Sequence, residues 1–374
     1  MAGIYLHIPF CKQACHYCNF HFTTSLRYKS ELAEAMVKEI ALQKEYLGGE
    51  TINTIYFGGG TPSLLDEKEL EEIMSALRQA YVISENAEVT LEANPDDITS
   101  EKLQFWKRAG INRLSIGIQS FFEEELRWMN RAHNAQQARQ CIVDSLAAGI
   151  TNLSIDLIYG SPLLSDEDWK RNVDLALSYH IPHLSCYALT VEEKTPLHKM
   201  IRTQQKVNVN EEQQARQFLL LMQWLRAAGY EHYEVSNFAK PGYRSRHNSS
   251  YWKGESYLGI GPSAHSYNGK SRSWNVANNQ LYIEAINEGR LPKEEEKLTR
   301  DEKLNEYMMI ALRTMEGIDM QRVRELASEK EADAIIQKLK IYASQRLVSA
   351  TNTSFALTDD GMLRADGMAG ELFV

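Results

Sequence analysis

The sequence predicts an α/β protein: a partial or full (β/α)6 barrel followed by a smaller C-terminal α+β, mainly helical, domain. Three observations carry that expectation. Short β-rich apolar runs alternate with longer helix-like segments, which indicates a parallel sheet joined by helical crossovers. The runs are nearly continuous in apolar residues, as befits strands covered on both faces. After about residue 230 the alternation stops. A Tyr-, Ser-, Asn- and Gly-rich stretch follows, and then a helical block from about Thr299.

The expected strands are 4–8, 52–57, 88–92, 113–118, 153–158 and 184–189. Helical patterns separate or follow them at about 28–47, 67–81, 100–109, 134–148 and 166–179, with another at about 211–228. Gly110 and Gly149 stand where a helix ends on a left-handed residue. The expected divisions are 1–235 for the barrel, 236–295 for an irregular β-rich segment, and 296–374 for a winged-helix-like C-terminal domain. Within the last, helices fall at 300–315, 319–329 and 331–345, followed by a polar strand pair with Asp360-Gly361 as its turn.

Composition narrows the function classes. The 374 residues are 43% hydrophobic and 24% charged, with a formal net charge of −9 and no block of five basic residues. That argues against a nucleic-acid protein dominated by phosphate contacts, and it makes the C-terminal domain a packing or lid element rather than a DNA reader. The strongest apolar stretch, around 218–225, is far short of the roughly 20 residues that span a bilayer. Transient peripheral membrane contact stays open. The first ten residues lack the basic flank and apolar core of a signal peptide. Five cysteines, three of them clustered, fit a reducing cytoplasm better than a disulfide scaffold.

The cluster is Cys11-Lys-Gln-Ala-Cys15-His-Tyr-Cys18, a C-x₃-C-x₂-C loop directly after the first strand. Three thiolates in one loop can hold three corners of a [4Fe–4S] cube and leave the fourth iron open to a small molecule. Zinc is the competitor, but no second Cys/His pair follows at finger spacing. A redox C-x₂-C pair would leave Cys11 unexplained. Cys141 and Cys186 fall in an expected helix and strand, where buried structural thiols are the simpler reading.

Phe57-Gly58-Gly59-Gly60-Thr61-Pro62 ends the second strand, where glycines let the backbone approach a ligand. It matches neither a P-loop nor a dinucleotide fingerprint. Glu92, Gln119, Arg131 and Asp156 then recur at or beyond strand ends. Each alone could be structural. Asp156, a charge in an apolar strand, needs either a salt-bridge partner in the barrel or a ligand. Together the four look like the lining for a polar, charged cofactor. Arg246-His247-Asn248-Ser249-Ser250-Tyr251-Trp252 sets an imidazole beside an amide and large aromatics, in a segment without helical period. That suits an axial ligand of a flat macrocycle, although chemistry alone favours a structural histidine. Gly259-Ile-Gly261-Pro-Ser-Ala-His265 is a second glycine-rich approach point.

Taken together, these motifs resemble radical S-adenosylmethionine (SAM) proteins, and most closely the anaerobic coproporphyrinogen III dehydrogenase branch. Tyr-Leu-His-Ile-Pro-Phe-Cys, Gly-Gly-Gly-Thr-Pro, Gln119, Arg131 and Ile-Asp-Leu-Ile-Tyr-Gly carry the likeness over the first ~190 residues. The resemblance implies a radical SAM partial (β/α)6 barrel, with Cys11, Cys15 and Cys18 holding a [4Fe–4S] cluster. It also implies that Tyr5, Tyr17, Gly59, Gly60, Thr61, Glu92, Gln119, Arg131 and Asp156 surround SAM. Two departures choose the branch. The dehydrogenases carry a long segment before the cysteine loop and a further cysteine two residues after it, where this chain has Phe20. His-Asn-x-x-Tyr-Trp at 247–252 is similar to the hallmark of the HemW-type haem chaperone subfamily. That likeness implies haem at His247, Asn248, Tyr251 and Trp252. It also implies haem delivery to acceptor proteins, notably of the respiratory chain. The alternative is an enzyme, oxidatively decarboxylating coproporphyrinogen III.

Overall fold

In the computed structural model, which describes residues 2–374, six parallel strands lie side by side in chain order. They are β1 (Ala2–Ile8), β2 (Ile52–Gly59), β3 (Ile83–Ala93), β4 (Arg113–Gln119), β5 (Leu153–Tyr159) and β6 (His183–Ala188). The crossovers carry α1 (Lys29–Leu42), α2 (Glu67–Ala80), α3 (Ser100–Ala109), α4 (Glu123–Trp128), α5 (Ala135–Ala147) and α6 (Asp166–Ser178). β1 and β6 do not pair with each other, so the barrel is partial. Its outer layer is apolar: Ile4, Leu6 and Ile8 of β1 are fully buried, as are Met36 and Ile40 of α1. Each such side chain stabilises the fold by about 1.5–3 kcal/mol relative to exposure.

Local chemistry sets the helix ends. Asp66 and Glu69 form a reciprocal capping box at the start of α2, both bonds at 2.9 Å. Gly110 ends α3 at φ 102°, and Gly149 follows α5 at φ 79°, the left-handed positions expected for these glycines.

Beyond the barrel come α7 (Pro196–Arg202), α8 (Glu211–Ala227), β7 (Glu231–Glu234) and β8 (Asn237–Ala239), the last pairing antiparallel with β6. Then follow α9 (Arg246–Trp252), β9 (Ser256–Ile260), β10 (His265–Tyr267), β11 (Ser271–Asn275), α10 (Asn279–Asn287) and β12 (Lys293–Lys297). β9 pairs parallel with β1, and β10–β12 extend that edge antiparallel, completing a twelve-stranded sheet. The histidine motif, expected in irregular structure, is helical. Its seven residues make only two turns, too few to show a period, and Ser245 caps them through its side chain.

The C-terminal unit comprises α11 (Arg300–Leu312), β13 (Ile318–Asp319), α12 (Met320–Leu326), α13 (Glu329–Ser344), β14 (Val348–Ala350), β15 (Ser354–Leu357), α14 (Asp359–Met362) and α15 (Ala365–Glu371). Its three strands form an antiparallel sheet in the order β13-β15-β14. Asp360-Gly361 is not the hairpin turn; both residues lie in α14. The turn falls at 351–353, where the Thr351 hydroxyl accepts from the Thr353 and Ser354 amides. Gly361 answers to packing instead, since a Cβ there would lie 1.9 Å from the Leu347 carbonyl oxygen. Among the described residues no helix is long and apolar enough to cross a membrane.

Candidate functional site

The cysteine loop leaves β1 at its C-terminal end and is stitched to the barrel by backbone bonds. The Cys11 amide donates to Thr23 O at 3.0 Å, and the His16 amide to Met129 O at 3.1 Å. Cys11, Cys15 and Cys18 are free thiols and half-buried. Burial pushes the Cys11 thiol up to about 11, opposed by a hydrogen bond from Thr61, and raises Cys18 as well. Ligation would therefore release protons. Among the described residues no three His, Cys, Asp or Glu side chains converge as a single metal ion requires. A cube gripped at three corners asks for more widely spaced sulfurs.

A chain of polar side chains links two of the thiols. Thr61 Oγ1 donates to Cys11 Sγ at 3.5 Å and accepts from Asn94 Nδ2 at 3.2 Å. Asn94 Oδ1 accepts from Arg131 Nη2 at 2.8 Å, and Arg131 Nη1 lies 3.2 Å from Cys15 Sγ. The same guanidinium reaches the Gly117 carbonyl at 2.9 Å and the Tyr17 hydroxyl at 3.4 Å. Its Nε is buried without a partner. Asn94 was not singled out by the sequence, although it stands two residues after Glu92 in the motif that was. Lys12, also within the loop, pairs with Asp96 at 2.8 Å and with Asp97, tying the loop to the end of β3.

The glycines at the end of β2 are needed by the chain's own packing. Gly59 has φ 107°, and a Cβ on it would stand 2.8 Å from the His7 ring. One on Gly60 would meet the Phe10 carbonyl oxygen at 2.7 Å. Without side chains there, β2 closes onto the start of the cysteine loop.

Inside the barrel, Tyr56 donates to Glu92 at 2.8 Å. Burial pushes Glu92 up to about 7, with the neighbouring Asp156 adding to the rise; Asp156 goes up to about 6 for the same reason, moderated by Ser185 and Arg113. Neither carboxyl has an ion-pair partner among the described residues, so no salt bridge accounts for Asp156. Arg113 is buried at the base of β4 with Nε and Nη1 unpartnered. The sequence offered only a charge at the start of an apolar strand as a signal for it. Gln119 closes β4 in a left-handed conformation, φ 62°, and is buried. Two carboxyls without an ion pair, and atoms of the Arg113 and Arg131 guanidinium groups without an acceptor, fit a ligand carrying both charges, as SAM does.

His247 lies at the other end of β1. Its Nδ1 is 2.8 Å from Thr54 Oγ1 and its Nε2 is 2.8 Å from the Tyr251 hydroxyl. Its amide donates to Glu88 at 3.1 Å, and its ring stacks on Tyr56 with centroids 5.0 Å apart. Burial, helped by the Arg113 charge, pushes the imidazole down to about 3. A Cβ at Gly3 would meet Thr54 Oγ1 at 2.7 Å and the His247 ring at 3.3 Å, so Gly3 makes room for this pair. From Gly3 to Ile8, where the cysteine loop begins, the strand rises roughly 16 Å. The Asn248 backbone N–H donates to Ser245 Oγ at 3.3 Å, as part of the helix cap. Tyr251 and Trp252 line a cavity of about 1000 Å³, which Phe20 and His21 of the cysteine-loop segment also line. The helices of the C-terminal unit close it through Lys303, Tyr307 and Arg322.

Residues 5–176 match the model of the Radical SAM superfamily, and 298–364 that of the HemN C-terminal domain. The chain is 34% identical over 375 residues to Heme chaperone HemW of Mycobacterium tuberculosis, covering 99% of this chain and 94% of the relative. It is 33% identical to Heme chaperone HemW of Bacillus subtilis, covering 99% and 98%. Among solved structures, coproporphyrinogen III oxidase (HemN) from Escherichia coli superposes with a TM-score of 0.84 at 22% identity, covering 100% of this chain and 90% of that one; it shares the fold. By its full-length similarity to these relatives and its Radical SAM match, the chain belongs to the HemW family of the radical SAM superfamily.

Proposed function

We propose that the protein is a haem chaperone that binds a [4Fe–4S] cluster and SAM, and hands haem to acceptor haem proteins, notably of the respiratory chain, in the cytoplasm. The observation that carries the proposal is the cavity of about 1000 Å³, at the upper end of ligand-sized pockets of about 300–1,000 Å³. It is lined by flat aromatics and borders the cysteine-loop segment through Phe20. The name of the full-length relatives, Heme chaperone HemW, supports the choice of haem as its occupant.

Cys11, Cys15 and Cys18 would hold the cluster, with Thr61 and Arg131 supplying polar hydrogens to its sulfur ligands. Gly59, Gly60, Tyr5, Tyr17 and Gln119 would shape the space for SAM, and Glu92 and Asp156 would face its positive charge. A reduced cluster with SAM bound supplies a 5′-deoxyadenosyl radical. The chain's own part is to fix the thiols, exclude water behind the aromatics, and keep its lumen carboxyls available. Tyr251 and Trp252 would form the wall against which the porphyrin lies, held in place by His247 behind them.

The test is transfer. Protein reconstituted anaerobically, then loaded with haem, is mixed with an excess of an apo-cytochrome. Movement of the haem absorption to the acceptor, faster than from free haem or haem-loaded albumin, is the expected result. Failure to retain haem on gel filtration would refute the proposal.

A further inference from the structure

The cavity beside the cysteine loop contains three histidines, and their hydrogen bonding separates them. His7 is engaged at both nitrogens, by the Tyr5 hydroxyl at 3.1 Å and the His21 carbonyl at 2.9 Å. His21 is held by Asn279 at 2.8 Å. His265, at the start of β10, is exposed to the cavity and has no hydrogen bond to either nitrogen among the described residues; its ring lies against Trp274, centroids 6.0 Å apart. The surroundings of His265 favour a neutral ring, through partial burial and the Arg272 charge, and a neutral imidazole is the form that ligates iron. His247, by contrast, does not line the cavity and would have to break two 2.8 Å bonds to reach it.

The charged groups on the cavity wall are also distinguishable. Arg272 is paired with Glu306, and Arg322 with Glu325. The Asp319 side chain caps α12 by accepting from the Gln321 amide at 2.8 Å. Lys253 and Glu255 add one charge of each sign. Lys303, on α11, makes no ion pair and no side-chain hydrogen bond among the described residues. It is a free cation on the C-terminal unit, across the cavity from the barrel edge.

We propose that His265 is the axial ligand of the haem iron, and that Lys303, with Arg272 and Arg322 beside it, receives the haem propionates. His247 is then a positioning residue that acts through Tyr251. The inference rests on the haem-binding function proposed above. It also gives the C-terminal unit a role, since its Lys303 and Arg322 would hold the propionates of a haem whose iron is bound from the barrel edge.

The experiment uses the full chain and ferric haem, followed by absorption and electron paramagnetic resonance, with circular dichroism to check folding. His265→Ala is expected to lose the histidine-ligated spectrum and to weaken binding at least about tenfold, with free imidazole restoring the spectrum. His265→Met is expected to change the iron's ligand field while keeping the protein folded. Lys303→Glu should weaken haem binding about fivefold and leave binding of haem dimethyl ester, which lacks the propionate charges, unchanged. An unaltered spectrum in both His265 variants, with loss in His247→Ala, would overturn the ligand assignment and leave the chaperone function standing. Equal weakening of haem and its dimethyl ester by Lys303→Glu would overturn the propionate contact. If the wild type binds no haem, both the function and the inference fall.

Discussion

The cysteine loop and the helix carrying His247 stand at opposite ends of β1, and they differ in how their polar atoms are satisfied. At the loop end three thiols are free, Arg131 keeps a buried Nε without an acceptor, and two lumen carboxyls make no ion pair among the described residues. At the other end the His247 amide, Nδ1 and Nε2 all have partners. Unmet polar groups in a buried setting are costly, so the loop end is built for something that is to bind there. At the His247 end the imidazole itself is fully bonded, and the unmet polar atoms there belong to its neighbours, the Trp252 indole nitrogen and the Arg113 guanidinium. Equal prominence in the sequence therefore does not mean equal readiness for a ligand.

The largest effect expected from breaking this contrast is at the thiols. Cys15→Ala should abolish retention of the cluster after anaerobic reconstitution, read as iron and acid-labile sulfide per chain. The fold, followed by circular dichroism, should persist. Next comes Arg131→Ala, which removes the donor to Asn94 and Gly117 and leaves both partners buried. It should cost about 1.5–3 kcal/mol of unfolding free energy in a urea titration. Arg131→Lys should recover only part, because an ammonium cannot supply the fork of donors.

The lumen carboxyls give a pH test with a definite sign. Burial raises Glu92 in the folded protein to about 7, with Asp156 adding to the rise and the Tyr56 hydrogen bond and the Arg113 charge opposing it. Between its ordinary value near 4.3 and about 7 the unfolded chain binds fewer protons at this site than the folded one. Its contribution to stability is thus fully present at low pH and declines as pH rises through that window. Glu92→Gln should remove the decline. The measured quantity is the difference in stability between variant and wild type, growing in the variant's favour from about pH 4 to 7; a flat difference would contradict the burial-driven shift. Bound SAM, bringing positive charge, should shrink that difference.

The smallest effect belongs to the closed end. Tyr251→Phe removes one partner of a buried imidazole and should cost about 1–3 kcal/mol, read as a lowered urea midpoint. Cluster content should not change. A loss of cluster in this variant would show that the two ends of β1 are coupled after all.

Much of this contrast was legible in the sequence, for particular reasons. The barrel declared itself because buried parallel strands are continuous apolar runs, and because Gly110 and Gly149 mark helix ends. The cysteine loop declared itself because three thiols in eight residues have few other uses. Asn94 and Arg113 did not, since their importance lies in contacts with residues far away in the chain. The helix at 246–252 was hidden by its shortness; β structure was expected in 236–295, but no local pattern records that β9 pairs with β1 and that β10–β12 follow it outward. His265 drew little attention as a lone histidine. Its distinction is the absence of a hydrogen-bond partner, which only the folded chain reveals.

The most direct test of the central claim runs two assays on one preparation. Full-length protein with its cluster reconstituted is supplied anaerobically with SAM and a reductant, and offered haem in one vessel and coproporphyrinogen III in the other. Retention of haem with no sustained formation of protoporphyrinogen is the predicted result. Repeated turnover of coproporphyrinogen III, with no haem retained, would contradict it.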